Sequence, residues 1–415
     1  MTDFSKPARK ITWVLFATQS LASAGFIASA TINSIIAAKL GGHASYAGLP
    51  SAVYLVGGAF AAFAWGHIME RIGRRNGISL GLVIGVFGNG IVLYAILKLS
   101  MFIFLLGMVL MGIANAAVAL GRFAAGEVNP PAQRGAAISN VVLGGTFGAV
   151  FGPLLVGPMG NFARSIGMDE LAGAYIATLG LFAIASALVF AGLRPEPRDL
   201  GKQVAERFPE ETPHGKTRPV LQIFSETGAL TAVIAMALGQ VVMVAIMVIT
   251  SLHMSGHHHN LRDISAVISS HTFGMYAFSV VSGRLSDRWG RGTVILIGSS
   301  TLLLACISAP LSPDVLPLAV ALFLLGLGWN FCFVGGSALL ADQLSPAERA
   351  RTQGVNDLLV GLASATGSLG SGFVFAASNY TVISIVAGMI AFVPLGMSLI
   401  WIRKAKAISV TASMD

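Results

Sequence analysis

Four side chains with sulfur or imidazole donor atoms recur at helical spacing in the second half of the chain. Met243 and Met247 stand four residues apart, and His271 and Met275 repeat that spacing. Residues four apart share one face of an α-helix. Thioether sulfur is a soft, neutral ligand that favours Cu(I), and imidazole accepts copper, zinc or nickel. The pattern indicates a site for a small metal ion, and the alternative is ordinary apolar packing of methionine.

The two pairs fall at similar depths if their helices are antiparallel neighbours. At about 1.5 Å per residue, Met247 and Met243 lie about 8 and 14 Å below the loop end of their helix. His271 and Met275 lie about 10 and 17 Å below the loop end of theirs. Met247 is then level with His271, and Met243 with Met275. Three thioethers and one imidazole would surround one ion.

The segment between these helices is rich in imidazole. It carries His253, Met254, His257, His258 and His259. Short histidine tracts often bind metals without specificity. This segment is predicted to be a metal entry point, and a solvated polar turn is an equally good interpretation.

A different set of side chains suits an organic solute. Gln240 lies on the same predicted helix as Met243, and Trp329, Asn330 and Phe331 lie on a later one. Amide and aromatic groups can hydrogen-bond and stack on a flat heterocyclic ring. The alternative is a packed helix with an unexplained polar side chain.

The elements that carry these residues are predicted to be membrane helices. Hydrophobic residues make up 55% of the chain and charged residues only 11%, whereas soluble domains carry about 25% charged residues. A spanning helix needs about 20 apolar residues, and we find twelve apolar runs. They cover 13–38, 47–69, 77–97, 101–122, 135–160, 171–193, 227–252, 264–286, 293–309, 316–341, 354–377 and 381–402.

The charges predict the orientation in the bilayer. With the N-terminus inside, 22 of the 26 Lys and Arg residues fall on the cytoplasmic side, as the positive-inside rule requires. The exceptions are Lys39, Lys98, Arg164 and Arg262. The net charge of +8 is thereby explained, and no nucleic-acid partner is expected. We predict a multi-pass protein of the bacterial inner membrane with both termini cytoplasmic.

Two charged loops repeat at one offset along the chain. The loop after run two recurs 217 residues later, after run eight. A second set, Glu127 and Arg134, recurs as Asp342 and Arg349 at an offset of 215. The repeat predicts an internal duplication, with six-helix bundles over 1–193 and 227–415 joined by a linker over 194–226. The repeated loop residues are Gly66, Glu70, Arg71, Arg74 and Arg75, then Gly283, Asp287, Arg288 and Arg291.

The charged loops resemble the signature loop of the major facilitator superfamily. The resemblance implies an all-α membrane fold, with twelve transmembrane helices in two pseudo-symmetric six-helix bundles. Acid and arginine at a helix end can form charge-assisted bonds, so we interpret the loops as a conformational latch. Topological anchoring by the arginines is the alternative.

The paired motifs Met243-xxx-Met247 and His271-xxx-Met275 resemble those of the CcoA-type copper importers within that superfamily. The resemblance implies copper uptake by alternating access, with these four side chains as the transport site. That group is also similar to riboflavin transporters, so the alternative is a carrier of riboflavin or another small organic solute, including a proton-coupled exporter. We predict no enzyme activity and no cofactor, since copper would be cargo. Any copper chaperone partner is unknown.

Overall fold

The computed structural model is all helical. It describes the backbone of residues 5–208 and 217–412, and the side chains of these except 132, 346, 350 and 406–412. The first helices are α1 Ser5–Gly41, α2 Leu49–Ile72, α3 Arg74–Lys98, α4 Met101–Ala119, α5 Gly121–Glu127, α6 Pro131–Phe151, α7 Val156–Ser165 and α8 Ala172–Gly192. The later helices are α9 Pro197–Arg207, α10 Val220–Ser225, α11 Thr227–Gly256, α12 Leu261–Tyr276, α13 Ser279–Trp289, α14 Arg291–Ser308, α15 Val315–Asp342, α16 Pro346–Ala377 and α17 Tyr380–Ala412.

The predicted twelve membrane helices are confirmed. Among the described residues, twelve helical segments are long and apolar enough to cross a membrane. Several extend past the apolar runs, because polar residues at a bilayer surface continue a helix without cost to its backbone hydrogen bonds. The first starts at Ser5 rather than at residue 13, and the last continues beyond residue 402 to Ala412.

The helices form two compact units. One holds residues 5–208 and 259–269, and the other holds residues 217–258 and 270–412. The predicted linker over 194–226 contains two short helices, α9 and α10. The predicted domain boundaries at 193 and 227 stay a prediction.

A row of glycines brings α1 and α6 together in the first unit. A Cβ atom at Gly148 would lie 2.1 Å from the carbonyl oxygen of Ser20, and one at Gly152 would lie 2.4 Å from that of Ala24. The Ser20 hydroxyl also donates to the Gly144 carbonyl at 2.8 Å. Only hydrogen fits at such contacts, and small residues permit close helix approach. The backbones of α1 and α6 therefore pack directly against each other.

The eighth span is interrupted between α12 and α13, and Asn330 of α15 bridges the interruption. Its Nδ2 donates to the carbonyl of Met275 at 2.6 Å and to the hydroxyl of Ser279 at 2.9 Å. Its Oδ1 accepts from the Ser282 hydroxyl. A break in a membrane helix frees backbone groups that need new partners. The buried Asn330 amide supplies them.

Arg218 fixes the start of the second unit. Its guanidinium donates to Glu348 through Nε at 2.9 Å and Nη2 at 2.8 Å, and to Glu226 at 2.7 Å. Nη2 also reaches the carbonyl of Gln343 at 2.8 Å. Glu348 is buried and accepts from the backbone N–H of Ser345 at 3.0 Å. The network joins the segment before α11 to the N-terminus of α16.

Candidate functional site

An indole–amide pair links three helices of the second unit. Trp329 on α15 donates its Nε1–H to Oε1 of Gln240 on α11 at 2.7 Å. Gln240 in turn donates through Nε2 to the hydroxyl of Ser364 on α16 at 3.1 Å. Gln240 is half-buried. The prediction from sequence named Gln240 and Trp329 together, and the structure brings them into direct contact.

Aromatic rings extend this pair into a wall. Trp329 stacks on Phe333 with ring centroids 5.0 Å apart and planes 17° apart. Tyr276, at the end of α12, meets Trp329 edge-on at 6.3 Å. Both Phe333 and Tyr276 are half-buried. Flat faces beside an amide edge are the features that fix a flat polar ring in a binding site.

Asn330 and Phe331, the other two residues predicted for an organic solute, contact other parts of the second unit. Both ends of the Asn330 amide are bonded at the break in the eighth span. Phe331 places its Cβ beside Gly298 of α14. The amide of Asn330 already has a full set of partners in the fold. Its role in an organic-substrate cavity stays a prediction.

His271 is a fully buried imidazole on α12. Its Nδ1 bonds the carbonyl of Leu322 on α15 at 2.9 Å, so Nδ1 carries the proton and Nε2 a lone pair. Nε2 has no hydrogen-bond partner among the described residues. A metal-binding imidazole normally has this arrangement, with the other nitrogen donating to a carbonyl.

The methionines predicted to join His271 are packed in the helices. Met243 and Met275 are buried and Met247 is half-buried. Near His271, α12 contacts α15, where Gly326 meets the His271 backbone. No group of three His, Cys, Asp or Glu side chains in the described ranges is placed to hold a metal. The four-ligand copper site stays a prediction.

The imidazoles of the predicted metal entry segment contact different partners. His253 stacks on Tyr380 with centroids 4.2 Å apart and meets His257 edge-on at 4.4 Å. His258 has a positive φ of 63° in the turn after α11, and Nδ1 of His259 lies 3.9 Å from Asp263. Met254 is buried. A metal-collecting role for this turn stays a prediction.

The repeated charged loops form equivalent ion pairs, one inside each unit. Arg74 at the start of α3 pairs with Glu127 at 2.6 Å. Arg291 at the start of α14 pairs with Asp342 at 3.0 Å and also contacts Asp287. These pairs join the two repeated motifs that the sequence identified separately. Opening and closing of a latch by these pairs stays a prediction.

The remaining loop residues form fewer side-chain hydrogen bonds and ion pairs. Arg75 lies over the ring of Phe190, with 5.4 Å from its guanidinium carbon to the centroid. The carboxylates of Glu70 and Asp287 are both exposed, but Asp287 pairs with Arg291, whereas Glu70 receives a hydrogen bond at its backbone carbonyl, from Arg198 at 2.8 Å. Among the described residues, the side chains of Arg71 and Arg288 form no hydrogen bond or ion pair, and Gly66 and Gly283 complete the predicted latch.

Glu196 is a functional-loop residue that the sequence did not reveal. Its carboxylate accepts the backbone N–H of Arg74 at 2.5 Å and that of Arg75 at 3.3 Å. Gly73 between α2 and α3 has a φ of 89°, and a Cβ there would lie 2.8 Å from the carboxylate. An acid at a helix N-terminus is favourable. Glu196 thus holds the turn that presents Arg74 to Glu127.

A cavity of about 1100 Å³ lies inside the first unit, lined by parts of α1 and α6. Trp13 and Phe16 meet edge-on at 5.3 Å, and Phe16 meets Phe147 at 6.1 Å. The sequence did not predict this cavity. A signal was present, since Gln133, Asn140 and Phe147, seven residues apart, recur on one helical face.

The twelve spans and the equivalent ion pairs of the two units are typical of a membrane transporter. Sequence comparison gives the family. The family model described as Major Facilitator Superfamily matches residues 15–260 and 228–413. The chain belongs to the major facilitator superfamily. It is 35% identical over 398 residues to the uncharacterized MFS-type transporter YdeG of Bacillus subtilis strain 168, covering 95% of this chain and 92% of that protein.

A more distant relative has a described substrate. The chain is 28% identical over 401 residues to the riboflavin transporter RfnT of Brucella anthropi, covering 95% of this chain and 97% of that protein. Among solved structures, it resembles the nucleoside transporter NupG with a TM-score of 0.70 at 15% identity, covering 94% of this chain and 98% of that one. A bacterial homologue of the lysosomal transporter Spinster, in an occupied inward-facing state, gives 0.68 at 17% identity, covering 96% and 98%. These structural likenesses concern the fold alone.

Proposed function

We propose that this membrane transporter carries a flat organic solute with hydrogen-bonding edges, of the riboflavin class, across the bacterial inner membrane. In this proposal both termini lie in the cytoplasm, which is the orientation that the charge distribution favours. The observation that carries it is the contact between Gln240 and Trp329 at 2.7 Å, with Phe333 stacked behind the indole. The RfnT relative supports the same solute class.

The indole–amide pair suits a solute that must be bound and released. Gln240 accepts one hydrogen bond from the indole of Trp329 and donates one to the hydroxyl of Ser364. A ring with its own donor and acceptor atoms can exchange with these bonds one for one. Such an exchange leaves no buried group unpaired, which would otherwise cost about 1–3 kcal/mol for each group.

Copper is the second candidate cargo. It is favoured by one observation, the buried Nε2 of His271 without a partner among the described residues. Its ligand set would be completed by Met243, Met247 and Met275. The two candidates differ in which side chains they need, so one pair of uptake measurements separates them.

The test is uptake in cells that lack their own riboflavin synthesis and riboflavin import. Cells with this chain should take up labelled riboflavin and grow on a low external supply, while cells with an empty vector should not. Copper-64 uptake measured in the same cells should be equal with and without the chain. Copper-64 uptake that depends on the chain, with no riboflavin uptake, would replace this proposal by copper import.

A further inference from the structure

The cavity inside the first unit has two walls of matching chemistry. Arg9, Trp13 and Phe16 line it from α1, and Gln133, Asn140 and Phe147 line it from α6. Each wall thus carries polar groups toward one end and aromatic rings toward the other. The contact of α1 with α6 along the glycine row holds the two walls at a fixed spacing.

The aromatic rings are open to the cavity rather than packed in the core. Trp13 is 59% exposed and Phe147 is 50% exposed. Their edge-on contacts run through Phe16 and leave ring faces free. A flat solute can stack on such faces, and aromatic pairs add about 0.5–1.5 kcal/mol beyond their buried area.

The polar groups have no role in holding the fold. The side-chain amides of Gln133 and Asn140 and the guanidinium of Arg9 are exposed, and none makes a side-chain hydrogen bond or ion pair within the described part of the chain. Polar groups facing lipid would be costly, so these groups face water in the cavity. The described residues that line it include no Asp or Glu, so the guanidinium of Arg9 gives the cavity a positive charge.

We propose that this cavity is a second binding site for the solute, separate from the indole–amide pair of the other unit. It binds the anionic group of a flat aromatic solute, so that the transporter selects a negatively charged member of its solute class. This inference rests on the proposed function and narrows it. The ring stacks on Trp13 and Phe147, the amides of Gln133 and Asn140 bond its polar edge, and Arg9 bonds a phosphate or carboxylate. Charge-assisted bonds of guanidinium to such groups are among the stronger hydrogen bonds in proteins.

The competing explanation for Arg9 is topological. Basic residues accumulate at the cytoplasmic ends of membrane helices whatever the cargo, and Lys6 and Lys10 flank Arg9 on α1. Lys10 is exposed and does not line the cavity. It is therefore the matched control, since its removal changes the same net charge on the same helix without touching the proposed site.

The experiment measures binding of riboflavin and riboflavin 5′-phosphate to the purified full-length protein by flavin fluorescence anisotropy. Wild type and Lys10→Gln should bind the phosphate about tenfold more tightly than riboflavin, the value expected for one charge-assisted bond. Arg9→Gln should abolish that preference and leave riboflavin affinity unchanged. Trp13→Leu should weaken both ligands and serves as a second variant if Arg9→Gln does not fold.

The outcomes separate this inference from the proposed function. Riboflavin binding to wild type with no preference for the phosphate overturns the inference and leaves the proposed function standing. An equal loss of preference in Lys10→Gln and Arg9→Gln assigns the effect to general charge and also overturns it. If wild type binds neither flavin, the proposed solute class fails, and this inference fails with it.

Discussion

The side chains that the sequence indicated for copper and for an organic ring lie in the same unit, and two of those for the organic ring are in direct contact. Gln240 and Trp329 share a 2.7 Å hydrogen bond. For His271 the structure gives a bond to Leu322 of α15. Spacing along one helix predicts a shared face, as it did for Gln240 and Met243. It does not predict which neighbouring helix that face meets, and that choice decides the site.

Substitution of Met243 and Met247 on α11 tests the metal interpretation at the residue scale. Leu is close to Met in volume, and such exchanges in packed interiors usually cost under about 1.5 kcal/mol. The double variant Met243→Leu and Met247→Leu should keep normal abundance and full riboflavin uptake, because neither residue belongs to the indole–amide pair. Uptake of labelled riboflavin at matched protein level is the measurement. A collapse of chain-dependent copper-64 uptake in this variant would instead identify the thioethers as ligands.

At the scale of elements, the twelve apolar runs were enough to predict the spans, because only long apolar helices satisfy their backbone in lipid. The interruption of the eighth span was not predicted. The interruption falls at Ala277 and Phe278, and neither is a Pro or Gly that would have indicated a break. The stabilising amide comes from Asn330, far along the chain. The cavity wall was missed for a related reason, since exposed aromatics such as Trp13 resemble lipid-facing residues in a sequence.

The break in the eighth span gives a stability prediction. Asn330→Leu removes the amide that donates to the Met275 carbonyl, and a buried polar group left unpaired costs about 1–3 kcal/mol. The melting temperature of the purified protein should therefore fall clearly. Asn76→Leu, at an exposed position, makes the same chemical change and should have little effect. Equal melting temperatures for Asn330→Leu and wild type would show that the amide is not needed at the break.

The glycine row gives a second prediction at this scale. Gly148→Ala places a Cβ atom 2.1 Å from the Ser20 carbonyl oxygen, so α1 and α6 must separate. Gly135 lies on the same helix with nothing within 4 Å of its Cβ position, and Gly135→Ala is the control. We expect loss of thermal stability only for Gly148→Ala, measured by a fluorescence melt in detergent. A melt indistinguishable from that of Gly135→Ala would refute the close approach.

At the scale of the whole molecule, sequence and structure agree on duplication. The offset of about 216 residues between repeated loops appears as equivalent ion pairs, Arg74 with Glu127 and Arg291 with Asp342. The duplication explains why each unit has its own membrane helices and its own charged rim. It does not explain the two different interior chemistries, an amide–indole wall in one unit and an electropositive aromatic cavity in the other.

Counterflow in proteoliposomes tests the proposed transport of a flat organic solute most directly. Vesicles that contain the purified protein are loaded with unlabelled riboflavin and diluted into a trace of labelled riboflavin. Wild type should accumulate label well above empty vesicles, and Gln240→Leu should lose about nine-tenths of that signal, since a lost buried hydrogen bond corresponds to about tenfold. Ser364→Ala, which removes only the outer bond of Gln240, should retain most of it. Label in wild-type vesicles no higher than in empty ones, or full counterflow by Gln240→Leu, would contradict the proposed function.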